Sequence, residues 1–199
     1  IWGPLFAGAD VREIPMGTGT DFFEKIQEAW EYSWPKPRVI VLSFPHNPTT
    51  ACVELDFFQR VVDFAREKDV VIVHDNAYAE LGFDGYEPPS ILQAKGAKEC
   101  AVELYSMTKS FSMAGWRVAF LVGNQEVVQA LAKLKSYLDY GTFQPIQIAA
   151  TVTLNEDPDH PREVLPIYQA RRDALCDGLN RIGWEIGRAS CRERVFSSV

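Results

Sequence analysis

The chain contains no run of about 18 apolar residues, so it presents no candidate membrane-spanning helix. Histidine and cysteine are both scarce, three and four in 199 residues. Cys52, Cys100, Cys176 and Cys191 stand at unrelated spacings, with no Cys-x-x-Cys and no neighbouring pair of histidines. That excludes the familiar zinc frameworks and predicts no metal site. The four are read as reduced thiols, as expected of a cytoplasmic protein. No Gly-x-Gly-x-x-Gly follows any apolar run, which removes the usual mark of a nicotinamide-binding domain. Positive charge is in deficit: 20 Lys and Arg against 27 Asp and Glu give a formal net charge of -7. Non-specific nucleic-acid binding needs clustered cations to displace phosphate counterions, so no nucleic-acid partner is expected. No internal repeat or low-complexity tract appears.

What is present is an ordinary globular composition, 47% apolar, enough for a buried core in one or two domains. Residues 1–15 alternate glycine with apolar positions and predict a loop followed by a strand at 11–14. Phe22, Phe23, Ile26, Ala29 and Trp30 have helical spacing, stopped by Trp34-Pro35-Lys36-Pro37. Residues 39–44 are a dense apolar run, the pattern of a parallel strand buried on both faces. A helix over 55–68, with Leu55, Phe58, Val61, Val62 and Ala65 on one side, leads to a strand over 70–73 that ends in His74-Asp75. Strand, helix and strand within about 30 residues make a βαβ unit. Further strands are predicted at 101–105 and 118–122, and helices at 125–140, 147–154 and 162–182. His160-Pro161 marks a boundary and Gly183 a stop. Residues 187–199 lose all apolar periodicity.

The apolar stretch 101–105 delivers Ser-Met-Thr-Lys-Ser-Phe-Ser-Met-Ala-Gly-Trp-Arg, residues 106–117. A lysine amine can act as a nucleophile toward carbonyls when its surroundings favour the neutral or imine form. An isolated lysine in a loop is more commonly a solvated surface charge. Arg117 changes the balance, because a guanidinium fork beside the hydroxyls of Ser106 and Thr108 suits a phosphate. An amine with an anion cradle points to a phosphorylated aldehyde. Upstream, Asp75 ends a strand where it either caps a turn or faces a ligand at the carboxyl edge of the sheet. Tyr78 is a packing residue or a phenol donor, and Asn47-Pro48 is a turn or an amide donor.

In order and separation, Asn47, Asp75, Tyr78, Ser106, Lys109 and Gly115-Trp116-Arg117 resemble the fold-type-I, pyridoxal-phosphate-dependent aminotransferases of the class I/II group. Ala119 stands where many of these enzymes carry glycine. A narrower likeness runs through residues 47–55, Val73-His74-Asp75 and residues 136–143, which look like the bacterial glutamate–pyruvate (alanine) aminotransferases. In that comparison the glycine that usually follows Asn-Pro-Thr is replaced by Thr50.

The resemblance implies an α/β fold, a PLP-transferase large domain of the aspartate aminotransferase type with a mainly parallel sheet flanked by helices, over residues 1–157. It implies the first helix of a small C-terminal domain over 158–186. Residues 187–199 are similar to a read-through tail found in draft sequence data and are set aside. The implied cofactor is pyridoxal 5'-phosphate, with Asn47 and Tyr78 at the ring hydroxyl, Asp75 at the pyridine nitrogen, and Ser106 and Arg117 at the phosphate. Lys109 is implied as the catalytic lysine that tethers the cofactor and shuttles the substrate proton. Implied partners are an amino acid, a 2-oxo acid and a second subunit, with residues 140–143 at the subunit boundary.

The family's phosphate-binding glycine/serine loop, ring-stacking aromatic and carboxylate-binding arginine have no counterpart here. The chain is therefore expected to be a fragment that does not complete transamination alone. Two other functions remain open on the same residues: a pyridoxal-phosphate-dependent carbon–sulfur β-lyase, and an effector-sensing domain of a transcription regulator.

Overall fold

The computed structural model describes residues 2–17, 19–184 and 186, and the chain divides into two compact units, Ile1–Arg38 and Val39–Val199. In the first unit, α1 (Trp2–Phe6) is short and α2 (Phe22–Tyr32) is amphipathic, burying Phe23 and Ile26. The Asp21 carboxylate starts α2 by accepting from the backbone N–H groups of Phe23 and Glu24, donors that the helix itself leaves unpaired. Lys36 Nζ closes its other end, donating at 2.8 Å to the carbonyls of Trp30 and Glu31. The strand expected at 11–14 is absent. The sheet is built of later residues, and 11–14 finds no ladder partner among the described residues, so its alternation alone cannot make a strand.

In the second unit, β1 (Val39–Ser43), β2 (Val71–Asn76), β3 (Ala101–Ser106) and β4 (Ala119–Gly123) form one sheet in the order β1-β2-β3-β4. The first three run parallel and β4 is antiparallel to β3. Helix α3 (Leu55–Lys68) links β1 to β2, as parallel strands require a long crossover. One turn of helix, α4 (Ala97–Cys100), precedes β3, and another, α5 (Met107–Ser110), follows it. After β4 come α6 (Gln125–Leu138), α7 (Gln144–Glu156) and α8 (His160–Arg181).

Helix α3 covers one face of the sheet. Phe58, Val61, Val62 and Ala65 are all fully buried, and the Phe58 ring lies 4.7 Å from that of His74 in β2. Leu55, predicted inward, is 40% exposed, while Phe57 and Phe64 are buried. The covered stripe is thus broader than the one predicted. β1 also departs from expectation: it is an edge strand, with Val41 61% exposed, so its apolar run is not buried on both faces. Gly123 closes β4 with φ +129, where an added Cβ would meet the Ala101 carbonyl oxygen at 2.4 Å. Only glycine permits that approach of β4 to the start of β3.

Helix α8 begins at His160, so His160-Pro161 opens the helix rather than preceding it; proline suits a first turn because its missing N–H would be unpaired there anyway. Cys100 and Cys176 form no disulfide, as predicted, and both are buried. Cys52 is disulfide-bonded, which corrects the expectation of four reduced thiols. Cys191 and the suspected tail over 187–199 lie outside the described residues. Among the described residues no helix is long and apolar enough to cross a membrane.

Candidate active site

Side chains alternate along β2, and the burial alternates with them: Ile72, His74 and Asn76 face the covered side and Asp75 the other. Asp75 is paired across the sheet with Ser43 of β1 and Leu104 of β3, near the carboxyl ends of all three parallel strands. Its half-buried carboxylate has no hydrogen-bond or ion-pair partner among the described residues.

The segment leaving β1 is folded back on itself. The His46 N–H donates to the Ala51 carbonyl at 2.9 Å, the Thr50 N–H donates to the His46 carbonyl at 2.8 Å, and His46 Nδ1 lies 2.7 Å from Thr49 Oγ1. Burial lowers the His46 pKa and so favours a neutral ring. This frame presents Asn47, whose Nδ2 donates to Tyr78 Oη at 3.2 Å. Thr50 adopts φ +57. The substitution of threonine for the usual glycine therefore falls where the backbone is left-handed, a strained conformation for a β-branched residue.

Helix α5 places the lysine. Ser106 Oγ accepts from the Thr108 N–H at 3.2 Å, capping this single turn at the end of β3. Met107 and Phe111 point into a small core with Met113, Val118 and Ala150, and Tyr105, Ile146 and Ala149 pack against it. With Met107 and Phe111 anchored one turn apart, Lys109 is turned outward. Its Nζ lies 5.7 Å from the centroid of the Tyr78 ring, within cation–π range.

Arg117 comes to the same end of the sheet because Ser106 pairs with Ala119, two residues beyond it. It follows the 3-10 turn Ala114–Trp116, has φ +53, and folds back to donate from Nη1 to the Ala114 carbonyl at 3.2 Å. Side-chain contacts therefore join Asn47, Tyr78 and Lys109 directly. Asp75, Ser106 and Arg117 share the sheet's carboxyl end without a hydrogen bond or ion pair to those three or to one another among the described residues.

Sequence reasoning passed over a buried polar group on the opposite face. His74 Nδ1 is 2.9 Å from Glu103 Oε2, and its Nε2 is 3.1 Å from the Phe44 carbonyl oxygen. Burial by itself would raise the Glu103 pKa; hydrogen bonds from His74, Ser90 and Asn76, and the charge of His74, bring it below the usual carboxylate value. A lone Glu inside the run Ala-Val-Glu-Leu-Tyr was the available signal, since an unpaired carboxylate is not tolerated in such a strand.

The family model described as "Aminotransferase class I and II" matches residues 6–190. Among curated proteins, the glutamate-pyruvate aminotransferase AlaC of Escherichia coli is 48% identical over 199 residues, all of this chain and 48% of that protein. An LL-diaminopimelate aminotransferase of Desulforudis audaxviator is 40% identical over 197 residues, 99% of this chain and 50% of its own length. Among solved structures, substrate-bound BacF from Bacillus subtilis superposes with a TM-score of 0.80 at 33% identity, covering 94% of this chain and 48% of BacF. The chain spans about half the length of the relatives it matches.

Proposed function

The chain belongs to the class I and II aminotransferase family, and from that premise we propose that it supplies the cofactor-binding part of a pyridoxal-phosphate-dependent aminotransferase. The observation that carries the reading is the cluster of Asn47, Tyr78 and Lys109, an amide and a phenol 3.2 Å apart with an outward amine over the phenol ring. Two donors converging beside one amine suit a phenolic oxygen ortho to an aldehyde.

The other groups fit the same ligand. The Asp75 carboxylate has no hydrogen-bond or ion-pair partner among the described residues and can hold a proton at a ring nitrogen. Ser106 accepts one backbone hydrogen bond and keeps its own hydroxyl hydrogen for a phosphate oxygen. Arg117 needs only to leave a carbonyl of its own turn to offer its fork to the same group. When bound, pyridoxal phosphate supplies an electron sink for charge developing at the substrate α-carbon.

The chain's residues would divide the work as follows. Lys109 would hold the cofactor covalently, and its amine would move the proton at the substrate α-carbon. Asp75 keeps the ring nitrogen protonated, an electrostatic contribution that matters most while negative charge is developing. Asn47 and Tyr78 donate to the ring oxygen and orient the ring; Ser106 and Arg117 fix the phosphate.

For the substrate pair, we propose glutamate with pyruvate, giving 2-oxoglutarate and alanine. The support is the likeness to a glutamate-pyruvate aminotransferase at 48% identity. We further propose a cytoplasmic homodimer whose boundary includes residues 140–143, supported by the 92% exposure of Tyr140 and the 71% exposure of Phe143. Amino-donor profiling of purified protein carrying this chain, with pyruvate and 2-oxoglutarate as acceptors, tests the reading. A preference for aspartate or an aromatic donor with no alanine activity would refute the substrate pair. Release of ammonia and pyruvate from a cysteine-type substrate without transamination would point to the β-lyase.

A further inference from the structure

His74 is fully buried, yet both of its ring nitrogens are engaged. Nε2 faces the Phe44 carbonyl oxygen, which can only accept, so Nε2 carries a hydrogen. Nδ1 faces Glu103 Oε2. That same oxygen takes the Ser90 hydroxyl at 2.8 Å and the Ile91 N–H at 3.0 Å. An oxygen whose lone pairs already receive two donors is poorly placed to carry a hydrogen of its own, so the proton between Glu103 and His74 is assigned to the ring. By this count the imidazole is protonated on both nitrogens. The groups packed around it are consistent with one charge pair: Phe58 from α3, Glu103 from β3 and the Phe44 carbonyl beyond β1, of which Glu103 is the titratable one.

The connection it makes is mechanical as well as electrostatic. Phe44 directly follows β1 and lies three residues before Asn47, while His74 directly precedes Asp75. We propose that His74 is a positioning residue: as an imidazolium held by Glu103, it ties the exit of β1 to β2 from the covered face of the sheet, and so sets Asn47 relative to Asp75 on the ligand side. This rests on the reading of Asn47 and Asp75 as cofactor contacts. A ring donating from both nitrogens cannot rotate without breaking a bond at one end, whereas a neutral ring would leave either Phe44 or Glu103 unserved. Breaking the pair on one side alone exposes a buried, uncompensated charge, but replacing both members can leave stability almost unchanged.

That difference supplies the test. With three histidines in the chain, nitrogen-15 labelling of histidine resolves each ring, and a His74→Gln sample identifies the signal. At neutral pH His74 should show two protonated ring nitrogens; one bare nitrogen overturns the proposal regardless of what the protein binds. The paired variant His74→Leu with Glu103→Gln removes the charges, yet keeps an acceptor for Ser90 and Ile91. It should keep the wild-type circular dichroism and a cooperative unfolding transition, with a lowered thermal midpoint because the Phe44 carbonyl loses its donor, while its equilibrium retention of added pyridoxal phosphate weakens by about tenfold or more, a change of about 1.4 kcal/mol or more. A folded paired variant that retains pyridoxal phosphate as tightly as wild type overturns the positioning role and leaves a purely structural ion pair. If wild-type protein shows doubly protonated His74 but no affinity for pyridoxal phosphate, the cofactor reading fails, and the positioning role falls with it.

Discussion

Tyr86 offers a stability prediction whose size follows from the structure. Its side chain lies in the loop after Tyr78 and donates from Oη to the Val53 carbonyl at 2.6 Å, joining that loop to the segment between Asn47 and α3. It is 8% exposed. Burial, with the charge of Glu54 adding to it, pushes its pKa up from 10.0 to about 12. Replacing Tyr86 by Phe leaves a buried carbonyl without its donor and should cost about 1–3 kcal/mol near pH 8.

The cost should shrink in alkali. Between the unfolded and folded pKa values the unfolded phenol loses its proton while the folded one keeps it, so the unfolded state binds fewer protons and stability falls as pH rises. At pH 11, one unit above the unfolded value and one below the folded value, the wild-type protein should have lost about 1.4 kcal/mol that Tyr86→Phe cannot lose. Urea unfolding of both proteins at pH 8 and pH 11 measures the gap, and the other tyrosines, lysines and cysteines cancel in the comparison. A gap that is the same at both pH values would mean that Tyr86 is not held neutral by burial, and a gap near zero at pH 8 that the link to Val53 is weak.

Three further predictions concern the site. Lys109→Ala should abolish the adduct that borohydride fixes between protein and pyridoxal phosphate, as read by mass spectrometry of the intact chain; an adduct that persists on another lysine sinks the assignment. In a full-length enzyme carrying this chain, Asp75→Asn should lower the transamination rate by on the order of 10²–10³-fold while pyridoxal phosphate stays bound, because the proposed role of its carboxylate is to act on charge that develops during reaction; undiminished turnover contradicts that role. Thr50→Gly should be more stable than Thr50→Ala by about 1 kcal/mol in urea unfolding, since both lack the hydroxyl and only glycine relieves the left-handed backbone. Equal midpoints would show that the loop carrying Asn47 relaxes at no cost.

Sequence alone determined the elements whose signal is local. The bounds of α2 and α3 follow from apolar spacing and nearby stop signals, which depend on neighbours in the chain rather than on distant contacts. The six candidate residues were nominated from the sequence as well, by side-chain type near the ends of apolar runs and by family resemblance, and the structure joins three of them, Asn47, Tyr78 and Lys109, through side-chain contacts.

Tertiary structure decided what depends on pairing. The apolar run of β1 does not reveal whether a neighbour covers its second face, and residues 11–14 have strand-like alternation without a ladder to join. Glu103 appeared as an interruption in an apolar strand. Its pairing with His74 spans 29 residues and exists only because β2 and β3 lie side by side. Likewise, the sequence placed Asn47, Tyr78 and Lys109 in one inventory, but their contact required the loop after β1, the turn after β2 and the helix after β3 to end at the same edge of the sheet. Local propensity fixes which way a side chain leaves its own backbone; only the register between strands fixes what it meets.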